Sequence, residues 1–479
     1  MSSDAETAIL KSAFQIRRLR QMNFKKILSA VLIALLITAI LCSCSAKATV
    51  TQVDTEDLFT DRDIDYSYEE SEAKTISLSD ESITIDDEGI YVLSGDINDG
   101  QIIVDAGESD KIQIVLNGVT ISSDSDAAIY VKAANKVFIT TAKNSDNSLS
   151  TNGEFTADGD TDIDGVIFSM CDLTLNGEGT LNVETQYGNG IVSKDDLKLT
   201  SGTYSINASK NGLEANDIIG IGGGTYDIES QNDALHCDTD ITVTDGSFSV
   251  SAKDDAFHAD NSLTVAGGTI DISVSHEGLE GKEIHITNGD ITIKADDDGI
   301  NAAGGNDSSG VSGGSFKDEF ASQEGVIIDI SGGSVYINCE GDGIDSNGDI
   351  SISGGSIVVE GPQNGGNGAL DYNGDAEISG GAVLAIGSSG MAMNFSDASQ
   401  GSILVNFNAS YTEETITITD SESNVIYTFD STKTINSILF SSSELNKGET
   451  YTVSIGEQYQ TVTLSDYIYG SSNGMGFHK

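Results

Sequence analysis

The chain has 479 residues, of which 76 are Asp or Glu and 23 are Lys or Arg, giving a formal charge of −53. This balance excludes nucleic-acid binding, which needs clustered cations to neutralise phosphates. It does not describe a disordered acidic chain either, because 38% of the residues are hydrophobic and Val, Ile and Leu recur at regular intervals.

In chain order, the first element is an export signal. Asn23, Phe24, Lys25 and Lys26 precede an apolar run from Ile27 to Leu41, broken only by Ser29 and Thr38, which is the pattern of a secretory n-region and h-region. The run falls short of the 20 or so apolar residues that span a bilayer. It ends in Leu41-Cys42-Ser43-Cys44, which resembles a bacterial lipoprotein box, and Cys44, preceded by a small residue, is the expected lipidation site. The long leader 1–21 points to Met22 as the true start. The expected location is the cell surface, on the outer face of the cytoplasmic membrane, with membrane contact only through a lipid anchor. Residues 1–44 thus read as leader, signal and lipobox, and residues 45–73, acidic and without periodicity, as a tether. Removing residues 1–43 takes away six basic and two acidic side chains, so 17 basic and 74 acidic remain, a net of −57. Cys171, Cys237 and Cys339 are odd in number and far apart, which argues against a disulfide framework.

From residue 74 to 398 the sequence repeats. Gly190-Ile191, Gly212-Leu213, Ala234-Leu235, Ala256-Phe257, Gly278-Leu279 and Gly299-Ile300 recur every 21 or 22 residues, and the pattern resumes at Gly343-Ile344 and Ala369-Leu370. A second column opens on Gly202, Gly224, Gly246 and Gly268, and a third contains Leu197, Ile241, Leu263, Ile284 and Ile350. Three short strands per 22 residues, separated by Gly, Asn and Asp turns, predict one coil of a parallel β-helix in an all-β protein. The near absence of Pro fits, since each strand must donate to a neighbour. Ala215, Cys237, Ala259, Gly281 and Ala302 fall in one inward column, which makes Cys237 a core residue. Segments around 112–121, 127–141 and 165–183 read as irregular early coils, Thr75 to Leu93 as an N-terminal cap, and 303–325 as a long loop interrupting one coil. Residues 399–479 change to antiparallel-looking strands and read as a C-terminal β cap or small β domain.

Alternation about Leu213 turns Gly212, Glu214 and Asn216 outward. The equivalent triplets include Ala234, His236 and Asp238; Ala256, His258 and Asp260; Gly278, Glu280 and Lys282; Gly299, Asn301 and Ala303; Gly343, Asp345 and Asn347; and Ala369, Asp371 and Asn373. One face is therefore expected to carry a smooth Gly/Ala track beside a polar column. A further acidic column precedes each strand at Asn211, Asp233, Asp255, Glu277, Asp298 and Asp342, thickened by Asp254 and Asp297. Carboxylates stacked about 5 Å apart repel by roughly 1 kcal/mol per pair even in water, so the band from Asp233 to Asp298, with Glu280, calls for counter-ions. Hard oxygen ligands suit Ca2+, whereas zinc would prefer clustered His and Cys. The alternative that these Asp and Asn residues are corner-capping turn residues stands beside it. His236 and His258, stacked one coil apart, could hold a metal or a sugar hydroxyl. Glu214, His236, His258, Lys282 and Asn301 are the expected carbohydrate contacts.

Asn232-Asp233-Ala234-Leu235-His236-Cys237-Asp238 and Asp254-Asp255-Ala256-Phe257-His258-Ala259-Asp260, followed by Val265-Ala266-Gly267-Gly268-Thr269-Ile270, resemble a clostridial family of exported carbohydrate-binding β-helix proteins. Gly341-Asp342-Gly343-Ile344-Asp345-Ser346 and Ile352-Ser353-Gly354-Gly355 are similar, and the resemblance runs over about residues 75–465. It implies a right-handed parallel β-helix, shaped like pectate lyases, that binds Ca2+ and an acidic polysaccharide such as polygalacturonate. Carried onto this chain, it gives Asp233, Asp238, Asp254, Asp255 and Asp260 as calcium ligands, while Glu277-Gly278-Leu279-Glu280 with Lys282 departs from the pattern. Three functions follow as expectations: a non-catalytic, calcium-dependent binder of uronate polysaccharide; a polysaccharide lyase, whose base would have to be Lys282, Lys253 or Lys294, since Arg is absent after Arg62; or a calcium-stabilised structural adhesin.

Overall fold

Each coil of the repeat cannot bury its apolar stripe alone, and parallel stacking solves this by laying equivalent residues over one another. The computed structural model describes residues 58–302 and 322–470. The expected leader, signal, lipidation site Cys44, the first part of the tether and most of the 303–325 loop lie outside the described residues. The chain forms a parallel β-solenoid of about 13 turns with about 23 residues per turn. Leu213 pairs with Leu235, then Phe257, Leu279, Ile300 and Ile344, all essentially excluded from solvent. Leu197, Ile219, Ile241, Leu263, Ile284 and Ile328 make a second ladder. Tyr204, Tyr226 and Phe248 make a third, their rings stacked at centroid distances of 5.2 and 4.6 Å. Each such side chain contributes about 1.5–3 kcal/mol on burial. Gly202, Gly224, Gly246 and Gly268 turn the chain into this third ladder at φ of 112°, 110°, 128° and 90°, a region that side chains disfavour. Cys237 sits in the core as expected, between Ala215 and Ala259, and burial pushes its thiol up to about 11.

Three expectations change. The stretch from Thr75 to Leu93 is the first coil rather than a cap: Lys74–Leu78 pairs parallel with Gly89–Ile97, and Ile83–Ile85 with Ile102–Asp105. The Gly/Ala column is not an outward track. Ala234 and Ala256 are 0% exposed; a Cβ on Gly212 would meet Ile228 Cγ2 at 2.6 Å, and one on Gly299 would meet Ile337 Cγ2 at 2.3 Å. These residues precede the three-residue strands, at corners where strict alternation no longer holds. Gly299→Ala is therefore expected to destabilise by about 1–3 kcal/mol through overpacking, read as a lower unfolding midpoint in urea; an unchanged midpoint would show slack at the corner.

The tether is shorter than expected, because residues 58–66 are packed structure. Phe59 lies over Gly222, where a Cβ would meet its Cζ at 3.1 Å, and Thr60 caps a short helix, Asp61–Ile64. Asp63, 0% exposed, pairs with Lys136 at 2.7 Å and accepts Thr174 Oγ1 at 2.6 Å. The interrupting loop, finally, has a definite length. Ile300 pairs with Ile344, and Asp290–Ala295 with Ser334–Cys339, both at a 44-residue offset. One whole repeat length has been inserted after Ala302 without disturbing the register on either side.

At the other end, the long strand Ala376–Gly387 pairs parallel with the short Asp397–Ala398 and antiparallel with Thr434–Ser442, which also pairs with Gly401–Thr412. A four-stranded antiparallel sheet of Val425–Asp430, Thr415–Thr419, Thr450–Ile455 and Gln458–Thr463 follows. Leu384 and Ile386 of the last coil share one core with Ile403, Phe440 and Tyr451. The C-terminal strands thus cover the lower edge of the solenoid, which would otherwise present unpaired backbone.

Candidate functional site

Two adjacent columns carry the titratable groups. The outward column runs Tyr130, Phe168, Val192, Glu214, His236, His258, Glu280, Asn301, Asp345 and Asp371, one residue per coil. Its first three members are apolar and packed with Phe155 and Ile163, so the polar part begins at Glu214.

The second column precedes each strand, and its side chains do two things. In five of the six, one oxygen accepts the backbone N–H of the counterpart in the next coil: Asn211 from Asp233, Asp233 from Asp255 at 3.0 Å, Asp255 from Glu277 at 3.2 Å, Asp298 from Asp342, and Asp342 from Gly368. This is the corner-capping role foreseen for turn residues. Where a second oxygen remains, it faces the outward column, and the chemistry there divides the face into two regions.

In the upper region, charges are answered locally. Glu214 meets Lys194 at 2.9 Å and Asn211 Nδ2 at 3.0 Å. His236 Nδ1 lies 2.8 Å from Asp233 Oδ2, and its Nε2 lies 3.5 Å from Asp238 Oδ1. His258 Nδ1 lies 3.1 Å from Asp255 Oδ2, with Nε2 3.2 Å from Asp260 Oδ1. The two rings stack at 5.0 Å, as the sequence predicts. Burial acts to lower the His258 pKa, but the adjacent carboxylates of Asp255 and Glu280 override it and raise the imidazole to about 11. His236 is raised in the same way, by Asp233 against burial. Both rings are thus engaged by carboxylates of the protein itself. Asp254, exposed, brings an oxygen within 4.8 Å of those of Asp233 and Asp255.

The lower region is all oxygen. Asp298, Asp342 and Asp345 converge, each offering a carboxylate oxygen within 4.8 Å of the others, and Asp371 follows Asp345 in the column. Burial, then the neighbouring carboxylates, push Asp298 up to about 7 and Asp342 up to about 8. Asp345 is raised by the same causes, and Asp371 by burial. Between the regions, burial and the charges of Glu280 and Asp255 push Glu277 up to about 10. Asn301 Nδ2 donates to Glu277 at 2.7 Å, leaving its buried Oδ1 without a hydrogen-bond partner. Asp297 borders the group and lies 3.6 Å from His276. Lys282 is half-buried beside Gly325.

The structure therefore brings Asp233, Asp254 and Asp255 together, joins Asp255 with His258 and Glu280, and sets Asp238 and Asp260 outside the imidazoles. The lower cluster draws on Asp342, Asp345 and Asp371, which the sequence places in the two columns without singling them out. The 44-residue offset was the available signal: subtracting the inserted repeat puts Asp342 directly after Asp298, and Asp345 after Asn301.

A carbohydrate-binding domain family model matches residues 79–325, a little over half of the chain. A carbohydrate-binding domain-containing protein of Acetivibrio thermocellus is 34% identical over 194 residues, covering 39% of this chain and 66% of the relative, just under two thirds of its length. A solved polysaccharide lyase-like protein from C. thermocellum, crystallised as a gadolinium derivative, is 30% identical, with 46% of this chain and 92% of that chain covered at a TM-score of 0.39. By the extent of the family match, the chain belongs to the carbohydrate-binding domain-containing proteins.

Proposed function

We propose that the protein is a non-catalytic, calcium-dependent binder of acidic uronate polysaccharide, held at the cell surface through Cys44. The observation that carries this reading is the convergence of Asp298, Asp342 and Asp345. Three neighbouring, half-buried carboxylates repel one another, a cost that a cation would relieve, and a donor set made only of oxygen fits Ca2+. Asp298, Asp342 and Asp345 would hold the ion, with Asp371 beside them. Bound there, Ca2+ supplies positive charge that a sugar carboxylate can share, which reverses the repulsion between an acidic protein and an acidic glycan. The strongest influences on these three groups are burial, one another's charges, Asp297, Asp371 and, for Asp298, His276.

The expected result is retention of the protein on immobilised polygalacturonate in CaCl2 and its release by EDTA, with no unsaturated uronate product in the eluate. Retention unchanged in EDTA would overturn the reading, and so would a rise in absorbance from unsaturated product.

A further inference from the structure

We propose that Asp255, His258 and Glu280 form a site for one transition-metal dication of the zinc class, separate from the all-oxygen cluster at Asp298, Asp342 and Asp345. The three ligand atoms converge within 4.8 Å. His258 Nδ1 lies 3.1 Å from Asp255 Oδ2 and 2.6 Å from Glu280 Oε2. A protonated Nδ1 has a single N–H in the ring plane, so it bonds well to one carboxylate at a time. Glu280 is the one left over. Its side chain is 1% exposed, and both of its oxygens are buried without a hydrogen-bond partner. It points at the imidazole and at Asp255, and among the described residues no other group answers its charge. A metal ion taking the place of the Nδ1 proton would be bonded by all three groups at once.

The chemistry selects the metal. One imidazole nitrogen with two carboxylate oxygens is a zinc-type donor set, with a fourth position for water. Ligand atoms about 2.0–2.2 Å from zinc in a tetrahedron stand roughly 3.3–3.6 Å apart, a small expansion of the gaps seen here. Calcium takes six to eight oxygens at about 2.3–2.6 Å and has no use for imidazole. The supports are in place as well. Asp255 Oδ1 is fixed by the Glu277 N–H at 3.2 Å, and His258 Nε2 is held by Asp260 Oδ1 at 3.2 Å, which aims Nδ1 at the metal position in the way outer carboxylates orient metal-bound histidines. The Asp233 and His236 pair one coil away provides a neighbouring set with the same chemistry, with His236 stacked on His258 at 5.0 Å.

The test uses the full chain, stripped of metal and titrated with Co2+ as an optical probe. The expected result is one equivalent of Co2+ bound with the visible ligand-field absorption of a tetrahedral N/O site, displaced by Zn2+ and retained in a large excess of Ca2+. Glu280→Gln and His258→Gln should each weaken binding at least tenfold, and Lys447→Ala, in the exposed C-terminal sheet region, should leave it unchanged. A titration with no visible band, displacement of Co2+ by Ca2+, or wild-type affinity in a folded Glu280→Gln variant would overturn the site. Because the wild-type titration is decisive alone, misfolding of a variant does not shield the proposal. Its failure is also distinct from failure of the glycan reading: Asp342→Asn with Asp345→Asn should remove calcium-dependent retention and leave cobalt binding intact.

Discussion

Replacing Asp342 and Asp345 together by Asn is expected to abolish calcium-dependent retention on polygalacturonate and, in the same variant, to raise the stability of the calcium-free protein. Both signs follow from the same geometry. Without a cation, Asp298, Asp342 and Asp345 stand within contact range in a half-buried position, where neighbouring charges cost more than the roughly 1 kcal/mol per pair they would cost in water. Asn keeps the oxygen that Asp342 offers to the Gly368 N–H, so the corner stays capped while the charge is removed. Wild-type protein should gain about 2.7 kcal/mol from Ca2+ at one hundred times the dissociation constant, visible as a rise in melting temperature. The double variant should melt higher than wild type in EDTA and show no further rise with Ca2+. A variant that still responds to Ca2+ like wild type would move the calcium site elsewhere on the face, with the Asp233, Asp254 and Asp255 group as the next candidate.

Much of this face was legible in the sequence because the repeat period equals the coil length. Every 22-residue step lands on the same wall, so the stacking of His236 on His258 and the burial of Cys237 follow from counting. What counting could not give is the direction of residues at corners. Alternation is a rule for extended chain, and Leu235–Cys237 is only three residues long. Ala234, one residue earlier, already belongs to the corner and turns into the core. Nor does a one-letter pattern show that a single Asp divides its oxygens, as Asp255 does between the Glu277 N–H and the His258 ring. The lower cluster was obscured by one inserted repeat. The packed segment at 58–66 was obscured for the opposite reason: it has no periodicity, since it crosses the coils rather than joining their stack.

That crossing segment carries the second large effect. Arg62 reaches Gln113, Asp63 reaches Lys136 and Thr174, the Asp63 carbonyl accepts Thr200, and Leu58 lies against Gly220. These partners lie on five successive coils. A solenoid is held together mainly by contacts between neighbouring coils and can open one interface at a time, so a tie across five of them makes their opening cooperative. Asp63→Asn leaves Lys136, 7% exposed, as a buried charge without its partner, a loss of about 3–5 kcal/mol. Adding Lys136→Met should recover much of this, because the cost lies in the orphaned ammonium more than in the lost attraction. The same pair sets an acid limit. Burial acts to raise the Asp63 pKa, but Lys136, Thr174 and Thr60 outweigh it and hold the carboxyl down at about 2, against an ordinary 3.8. A depressed folded pKa stabilises above the unfolded value, so this contribution, about 2 kcal/mol, is complete above pH 4 and disappears as pH falls toward 2. The gap between the urea midpoints of wild type and Asp63→Asn should therefore be narrower at pH 3 than at pH 7, and should go on closing only as pH falls toward 2. Equal midpoints at pH 7 would show that the segment lies on the coils without tying them together.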